Sequence, residues 1–508
     1  MSQPSHGPYN PPSQQGWTGP NPYAQQAPQY GGQAPPPPGF PPQAPQSPPP
    51  GPPGRRARRG LIALVVGIVV ALAGVGGGAW LYLGGDSGGS HQAKPKPRPE
   101  HPHKLHSGID WKAPAPKGKI VDYVASDGRG TWFTDRAVIK QEIKTVKAYD
   151  RKSGDVLWTV PLPGDICGDR TPPAGGTLAL TFKAKGVCNQ LTLIDLADHR
   201  RLWTTPLAAE YEDGKAVQYV SSARSGDALI IAGERSLERR RLSDGGKEWS
   251  VPVRDGWYQG SVVGGDRLLS TTYKVRGKQT LAREVQEIDP RDGSATWTWP
   301  VPKGQRVASF VSTSPVVIGL AERDAFQVDQ FIALDAKGDQ RSRISIAKKG
   351  VRDKEGRLEL AYEPWCDMVG CDAAVVADDT LYLPTEDMTS EDSEWEYNKL
   401  VAFRLDNGRL KWSKDAGAKR TALPVGIDGD NVIAYSTPTG ESGGKLVRFN
   451  LASGKKSLYQ QHPDSESEDE RDAYGIGTPN ELYLDRGQFF IVTETLTGSE
   501  KIFIHAYE

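Results

Sequence analysis

Ala148-Tyr-Asp150-Arg-Lys-Ser-Gly154-Asp-Val-Leu-Trp158, followed by Thr-Val-Pro161-Leu-Pro163, is the stretch on which the fold turns. Its spacing is an acidic or polar residue, Gly four later and Trp eight later. The spacing recurs at Asp289, Gly293, Trp297 and at Arg404, Gly408, Trp412. Weaker copies keep part of it: Asp195 with Trp203 but His199 in the Gly place; Arg241, Gly245, Trp249; Asn450, Gly454, Leu458; and Asp335, with Arg343 in the Trp place. The anchors 150, 195, 241, 289, 335, 404, 450 and 508 are separated by 45, 46, 48, 46, 69, 46 and 58 residues. A period of about 45 residues built from short strands predicts four-stranded propeller blades.

Each part of the unit has a physical reason. The run before the anchor (Val146 to Tyr149, Leu191 to Ile194, Phe331 to Leu334, Leu400 to Phe403, Leu446 to Phe449) alternates or is wholly apolar, as a buried blade strand requires. The Gly supplies the positive φ of a tight hairpin, the Trp offers a flat surface to wedge between blades, and a following Pro stops the ladder at a sheet edge. Eight third-strand anchors are present, the last being Phe503-Ile-His-Ala506-Tyr-Glu508. Eight fourth-strand positions are present as well, the first being Asp110-Trp111-Lys-Ala-Pro114-Ala-Pro116, with no third strand ahead of it. Pairing Trp111 beside the strand that ends at Glu508 removes an open edge and predicts an all-β, eight-bladed ring closed by both chain ends in one blade. A seven-bladed ring would leave one copy unassigned.

The unit A-x-D-x-x-x-G-x-x-x-W resembles the repeat of the PQQ-like β-propeller family, with Ser153 where that family usually has Thr. The resemblance covers about residues 109–508 and implies the fold. That superfamily holds calcium-dependent quinoprotein alcohol dehydrogenases, non-catalytic assembly scaffolds of the BamB type, and sensor or binding ectodomains, and fold alone does not choose among them.

Ahead of the ring, residues 1–54 contain no Asp, Glu, Lys or Arg and are dominated by Pro, Gln, Gly and Tyr, the composition of a disordered tail. Residues 55–85 carry Arg55, Arg56, Arg58 and Arg59 followed by an uncharged stretch. Its apolar part, Leu61 to Leu83, would span about 34 Å as a helix, enough for a bilayer core of about 30 Å. A cleaved signal peptide is the alternative, opposed by the length of the run and of the segment ahead of it. The arginines on the N-terminal side place the tail in the cytoplasm and the propeller outside. Residues 86–108, centred on Lys94-Pro-Lys-Pro-Arg-Pro-Glu100, read as a stiff basic tether. Its His91, His101, His103 and His106 could bind a metal weakly, and a solvated linker is the plainer reading.

The chain has four cysteines, Cys167, Cys188, Cys366 and Cys371. An even number in an exported chain favours disulfides, and the locally simplest of three connectivities joins Cys167 to Cys188 and Cys366 to Cys371.

By resemblance, a quinoprotein dehydrogenase would need adjacent cysteines beneath its cofactor and a calcium site on the axis. No Cys-Cys pair exists, so no cofactor is expected. Gly440-Glu-Ser442-Gly-Gly444 satisfies G-x-S-x-G, but it lies between two strand patterns, as a hairpin tip and not a strand-to-helix elbow. Lys and Arg total 62 against 62 Asp and Glu, which gives no basic footprint for nucleic acid.

Two long gaps remain. The 69-residue gap holds Trp365, Cys366 to Cys371 and the acidic run Glu386 to Glu396, which includes Glu391; the 58-residue gap holds Asp464 to Asp472, which includes Glu468. Strand bookkeeping puts Trp365 to Cys371 and Asp464 to Asp472 in inter-blade loops and the other run in a second-to-third-strand turn, all on the face opposite the tether. Solvated loops are the plain reading; a partner surface, with Trp365, Glu386, Glu391, Asp464 and Glu468 as candidates, or a calcium site is the other. The expectation is a non-enzymatic, monomeric ectodomain, similar to envelope proteins of high-GC Gram-positive bacteria, that binds an envelope protein or a cell-wall ligand. The competing class is an enzyme with a site on the propeller axis.

Overall fold

The repeat folds as four antiparallel strands, the first innermost and the fourth outermost. In blade 1 these are Thr131–Phe133, Ala137–Gln141, Thr145–Asp150 and Val156–Pro161. The computed structural model describes residues 98–508 apart from 117–125, 128–129, 168–170, 208–210, 213–214, 217–220, 347–365, 368–369, 390–395, 418–419, 476–479, 497–501 and positions 278, 324, 326, 372, 386 and 494. Blade 2 is built on Thr177–Ala184, Val187–Asp195 and Arg200–Pro206, with Ile166 bridging to Phe182 on the inner side. Blades 3 to 7 span 221–252, 257–300, 305–345, 375–415 and 423–461. Blade 8 takes its first three strands from Glu481–Asp485, Gln488–Val492 and Ile502–Tyr507 and its fourth from Ile109–Pro114. The eight-bladed ring is therefore closed by strands from both ends of the described chain, with Trp111 opposite Ala506 as Trp158 is opposite Ala148 and Trp412 opposite Ala402.

The Trp and the Gly of the repeat belong to one contact across the blade boundary. A Cβ built on Gly154 of blade 1 would lie 2.7 Å from the ring of Trp111 of blade 8. Gly245 meets Trp203, Gly293 meets Trp249, Gly338 meets Trp297 and Gly454 meets Trp412 in the same way. The glycine is thus required twice, by its positive φ (+71° at Gly154) and by an aromatic face laid on its α-carbon. The indole N–H then donates to a carbonyl in the next blade's turn: Trp111 to Arg151 O and Trp203 to Leu242 O, both at 2.7 Å, and Trp412 to Leu451 O at 3.2 Å. Where the repeat departs, the contact adapts. His199 adopts the positive φ itself (+55°) and stacks on Trp158 with ring centroids 5.1 Å apart. Gly408 lies against the carbonyl of Arg343, the residue in the missing Trp's place.

At the boundary between blades 7 and 8 there is no such hairpin, and Leu458 stands where Trp would dock. A wedge fills the gap. The acidic run expected as a loop is a 3-10 turn, Asp464–Glu466, followed by the helix Ser467–Tyr474, which corrects the reading of Asp464 and Glu468 as loop residues. Acidic residues in its first turn favour the helix through its dipole. Ala473 and Tyr474 pack with Tyr435, Phe489 and Tyr507 in the core between the two blades. Glu470, fully buried, accepts from the Tyr435 hydroxyl at 2.9 Å and from Gly444 N at 2.7 Å, and lies 2.6 Å from His462 Nδ1.

Of the stretch expected as a tether, residues 98–108 are laid on the ring. Arg98 pairs with Asp378 at the first turn of blade 6, the backbone N–H of His101 donates to Asp428 in blade 7 at 2.9 Å, and Gly487 in blade 8 makes room for the Pro102 carbonyl. Leu105 and Ser107 then exchange backbone hydrogen bonds with Gln461. The three turns crossed join first and second strands, so this strap lies on the face that also carries the third-to-fourth-strand turns. Residues 1–97, including the expected membrane span, lie outside the described residues. Among the described residues no helix is long and apolar enough to cross a membrane.

Candidate functional site

The first strands of the blades surround a central channel, and this is where convergent chemistry would be found. One channel cavity of about 460 Å³ is bounded by blades 1, 4, 5 and 8, with Pro172 from the region before blade 2. Its aromatic walls are Trp132, Phe310 and Tyr483, and its polar groups are Thr131, Ser312, Thr313 and Glu481. The strands that place these residues also fix what they can do. Glu481 is the one carboxylate among the described lining residues of this cavity and is 5 % exposed. Lys140, fully buried on the second strand of blade 1, lies 3.7 Å from Glu481 and donates to Thr131 Oγ1 at 2.9 Å, with its ammonium 4.9 Å from the centre of the Phe503 ring. Thr131 in turn donates to Glu481 at 3.4 Å. The pair is thus charge-balanced and held inside the wall. Sequence reading missed both residues, since Lys140 and Glu481 sit in otherwise ordinary strand patterns far apart in the chain.

A triply carboxylated quinone with its calcium calls for several cations and metal-bearing oxygens converging on one place. The described lining offers a single carboxylate already matched by Lys140, and the cysteines are not adjacent. The described lining of this cavity does not fit that group.

The candidate partner residues divide by where they fall. Trp365, Glu386 and Glu391 lie outside the described residues. Asp464 is exposed yet accepts from Gly443 N at 3.1 Å, and Glu468 is exposed on the helix. Their neighbours are structural: Glu466 accepts from Ile109 N at 2.8 Å and Asp469 pairs with Lys112 at 2.8 Å, so the run fastens the closing strand. The sequence signal for this was Pro463-Asp-Ser-Glu ahead of further acids, with Gly475 at the end, which is a helix start and stop. Cys167 and Cys188 form a disulfide with Cα atoms 6.0 Å apart. Cys366–Asp367 and Gly370–Cys371 form a two-stranded hairpin whose register sets Cys366 opposite Cys371. That hairpin, in the connection between blades 5 and 6, lies against the first strand of blade 5.

The strand order defines an eight-bladed β-propeller. Residues 107–261 match the family model described as outer membrane protein assembly factor BamB. Among solved structures, BamB from Moraxella catarrhalis is similar at 10 % identity and a TM-score of 0.41, covering 76 % of this chain and 100 % of that one. A europium-containing methanol dehydrogenase is similar at 10 % identity and a TM-score of 0.47, over 79 % and 93 % of the two chains. A quinohemoprotein alcohol dehydrogenase from Comamonas testosteroni is similar at 12 % identity and a TM-score of 0.46, over 79 % and 76 %. These likenesses are of fold alone. No curated protein matches the sequence.

Proposed function

We propose that this chain is a non-catalytic binding or scaffolding propeller, held in the cell membrane by the apolar stretch Leu61 to Leu83 with its ring outside. The observation that supports the reading best is the charge-balanced channel wall, where Glu481 is matched by buried Lys140 and accepts a hydrogen bond from Thr131. The even cysteine count and the Cys167–Cys188 bridge agree with an exported ring. Its partner is an envelope protein or a cell-wall ligand, met on the face opposite the strap, where the inter-blade loops and second-to-third-strand turns emerge.

Trp365 is the anchor we assign to that contact, since a loop aromatic contributes more to binding than a loop charge does. Crosslinking in native membranes with the full chain tests this. Wild type should capture a stoichiometric partner, and Trp365→Ala should weaken capture while leaving the melting temperature nearly unchanged. A large loss of stability with unaltered capture would assign Trp365 to structure instead. Turnover of an alcohol by the purified chain supplied with quinone and calcium would overturn the non-catalytic reading.

A further inference from the structure

The strap brings a set of nitrogen and oxygen donors together that no part of the repeat supplies. Glu100-His101-Pro102-His103 contributes three, and the fourth is Asp428, buried at the turn between the first and second strands of blade 7. Donor atoms of Glu100, His103 and Asp428 lie within 4.8 Å of one another, and His103 Nδ1 is 3.9 Å from Glu100 Oε1. His101 Nδ1 lies 2.7 Å from Asp428 Oδ1. Around a tetrahedral ion with bonds of about 2.0 Å, ligand atoms sit roughly 3.3 Å apart, so Glu100, His103 and Asp428 would draw together around the ion and His101, now held on Asp428, would turn in as the fourth ligand.

The surroundings hold these donors in place. The Tyr459 hydroxyl donates to Asp428 Oδ2 at 2.7 Å, and the His103 ring is stacked on Tyr459 with centroids 3.8 Å apart. Such outer contacts orient a carboxylate and an imidazole for a metal. Arg448 supplies the counter-charge: its guanidinium is 2.6 Å from Glu100 and donates to His103 Nε2 at 3.0 Å. That bond puts the His103 proton on Nδ1, which donates to the His101 carbonyl at 3.0 Å. A metal on Nδ1 would displace this proton and shift the ring N–H to Nε2, against Arg448. The guanidinium and a dication therefore compete for one place.

We propose that His101, His103, Glu100 and Asp428 form a site for a divalent transition metal of the zinc class, and that Arg448 balances the same acids in the metal-free protein. Two imidazoles favour such a metal over calcium, which takes six or more oxygens. Bound metal would pin the strap to blade 7.

Cobalt(II) reports the site directly. Titrated into the EDTA-treated full chain, it should give a visible d–d band of four-coordinate intensity that saturates at one equivalent and is bleached by Zn²⁺ but not by Ca²⁺. His101→Ala or His103→Ala should weaken binding by about tenfold or more, and His91→Ala with His106→Ala should leave it unchanged. Arg448→Met should tighten binding by about tenfold, a gain that a misfolded variant would not give. The proposal is overturned if no band forms, if the band survives His103→Ala, or if Arg448→Met weakens it.

Discussion

Replacing Gly154 by Ala isolates the contact that closes the ring. The new Cβ would carry a positive φ of +71° and would lie 2.7 Å from Cδ2 and Cε3 of Trp111. The left-handed conformation costs a non-glycine residue about 1 kcal/mol, and forcing a methyl into a packed contact costs about 1–3 kcal/mol more. Gly154→Ala should therefore destabilise by about 2–4 kcal/mol. Gly226, at φ +57° with nothing within 4 Å of its would-be Cβ, provides the control: Gly226→Ala should cost only the conformational part, about 1 kcal/mol. Trp111→Ala by itself removes a buried indole and the donor to Arg151 O, for about 4–6 kcal/mol in all. In that background the methyl has nothing to strike, so Gly154→Ala should fall to the level of the control. Urea denaturation of the four proteins of this cycle, followed by far-ultraviolet circular dichroism, gives the coupling energy. A cost for Gly154→Ala that is the same with and without Trp111 would refute the docking of blade 8 on blade 1.

Deleting Asp110 to Pro116 should leave the blade 8 strand Ile502–Tyr507 as an open edge, and size-exclusion chromatography should show aggregation; a monomer with unchanged melting would count against closure. Peptide mapping of non-reduced protein should yield a Cys366–Cys371 link beside the Cys167–Cys188 one, and free thiols at both positions would exclude it. His505, opposite Lys112 in the closing pair, has its pKa lowered to about 4 by burial first and Lys112 second. Its folded pKa lies below the ordinary value of about 6.5, so the unfolded chain takes the proton first and stability falls as the pH drops from about 6.5 toward 4. Wild type should lose about 2 kcal/mol more than His505→Asn between pH 8 and pH 5; equal slopes in urea titrations would place the acid sensitivity elsewhere.

The blades were legible because two short-range constraints coincide in most of the repeats. A left-handed turn residue and an aromatic eight residues after the anchor are both fixed by spacing, and their deviations at His199 and Arg343 read as weak copies of the same unit. Closure was legible for the same reason, since Trp111 without a preceding strand and Ala506 without a following one are halves of one motif. The strap was not. Arg98, His101 and His103 sit in a proline-rich, charged stretch whose composition is that of a linker, and their partners Asp378, Asp428 and Tyr459 are some 280 to 356 residues away. Nothing local distinguishes a histidine that stacks on a distant tyrosine from one in water. The channel pair escaped in the same way: Lys140 and Glu481 each occupy a strand, and only ring closure brings blades 1 and 8 together.

The irregular features gather at one seam. Between blades 7 and 8 the third strand of blade 8 has no hairpin to carry a glycine, and Leu458 replaces the tryptophan that would have docked there. Three devices occupy that seam instead: the helix Ser467–Tyr474 with buried Glu470, the backbone bonds of Leu105 and Ser107 to Gln461, and the His103–Tyr459 stack. Each joins a segment outside the repeat to blade 7. A ring closed by separate strands needs such fastening, because the strand Ile109–Pro114 has no covalent turn to its partner and must be held by what precedes it. The acids of the long insertion serve this end: Glu466 takes the Ile109 N–H and Asp469 takes Lys112, which fixes the closing strand at two points one helical turn apart. That charge run is thus divided in its work: Glu466 and Asp469 fasten the chain's own N-terminal strand and Glu470 is buried against Tyr435 and His462, while Asp464, Glu468 and Asp472 remain exposed.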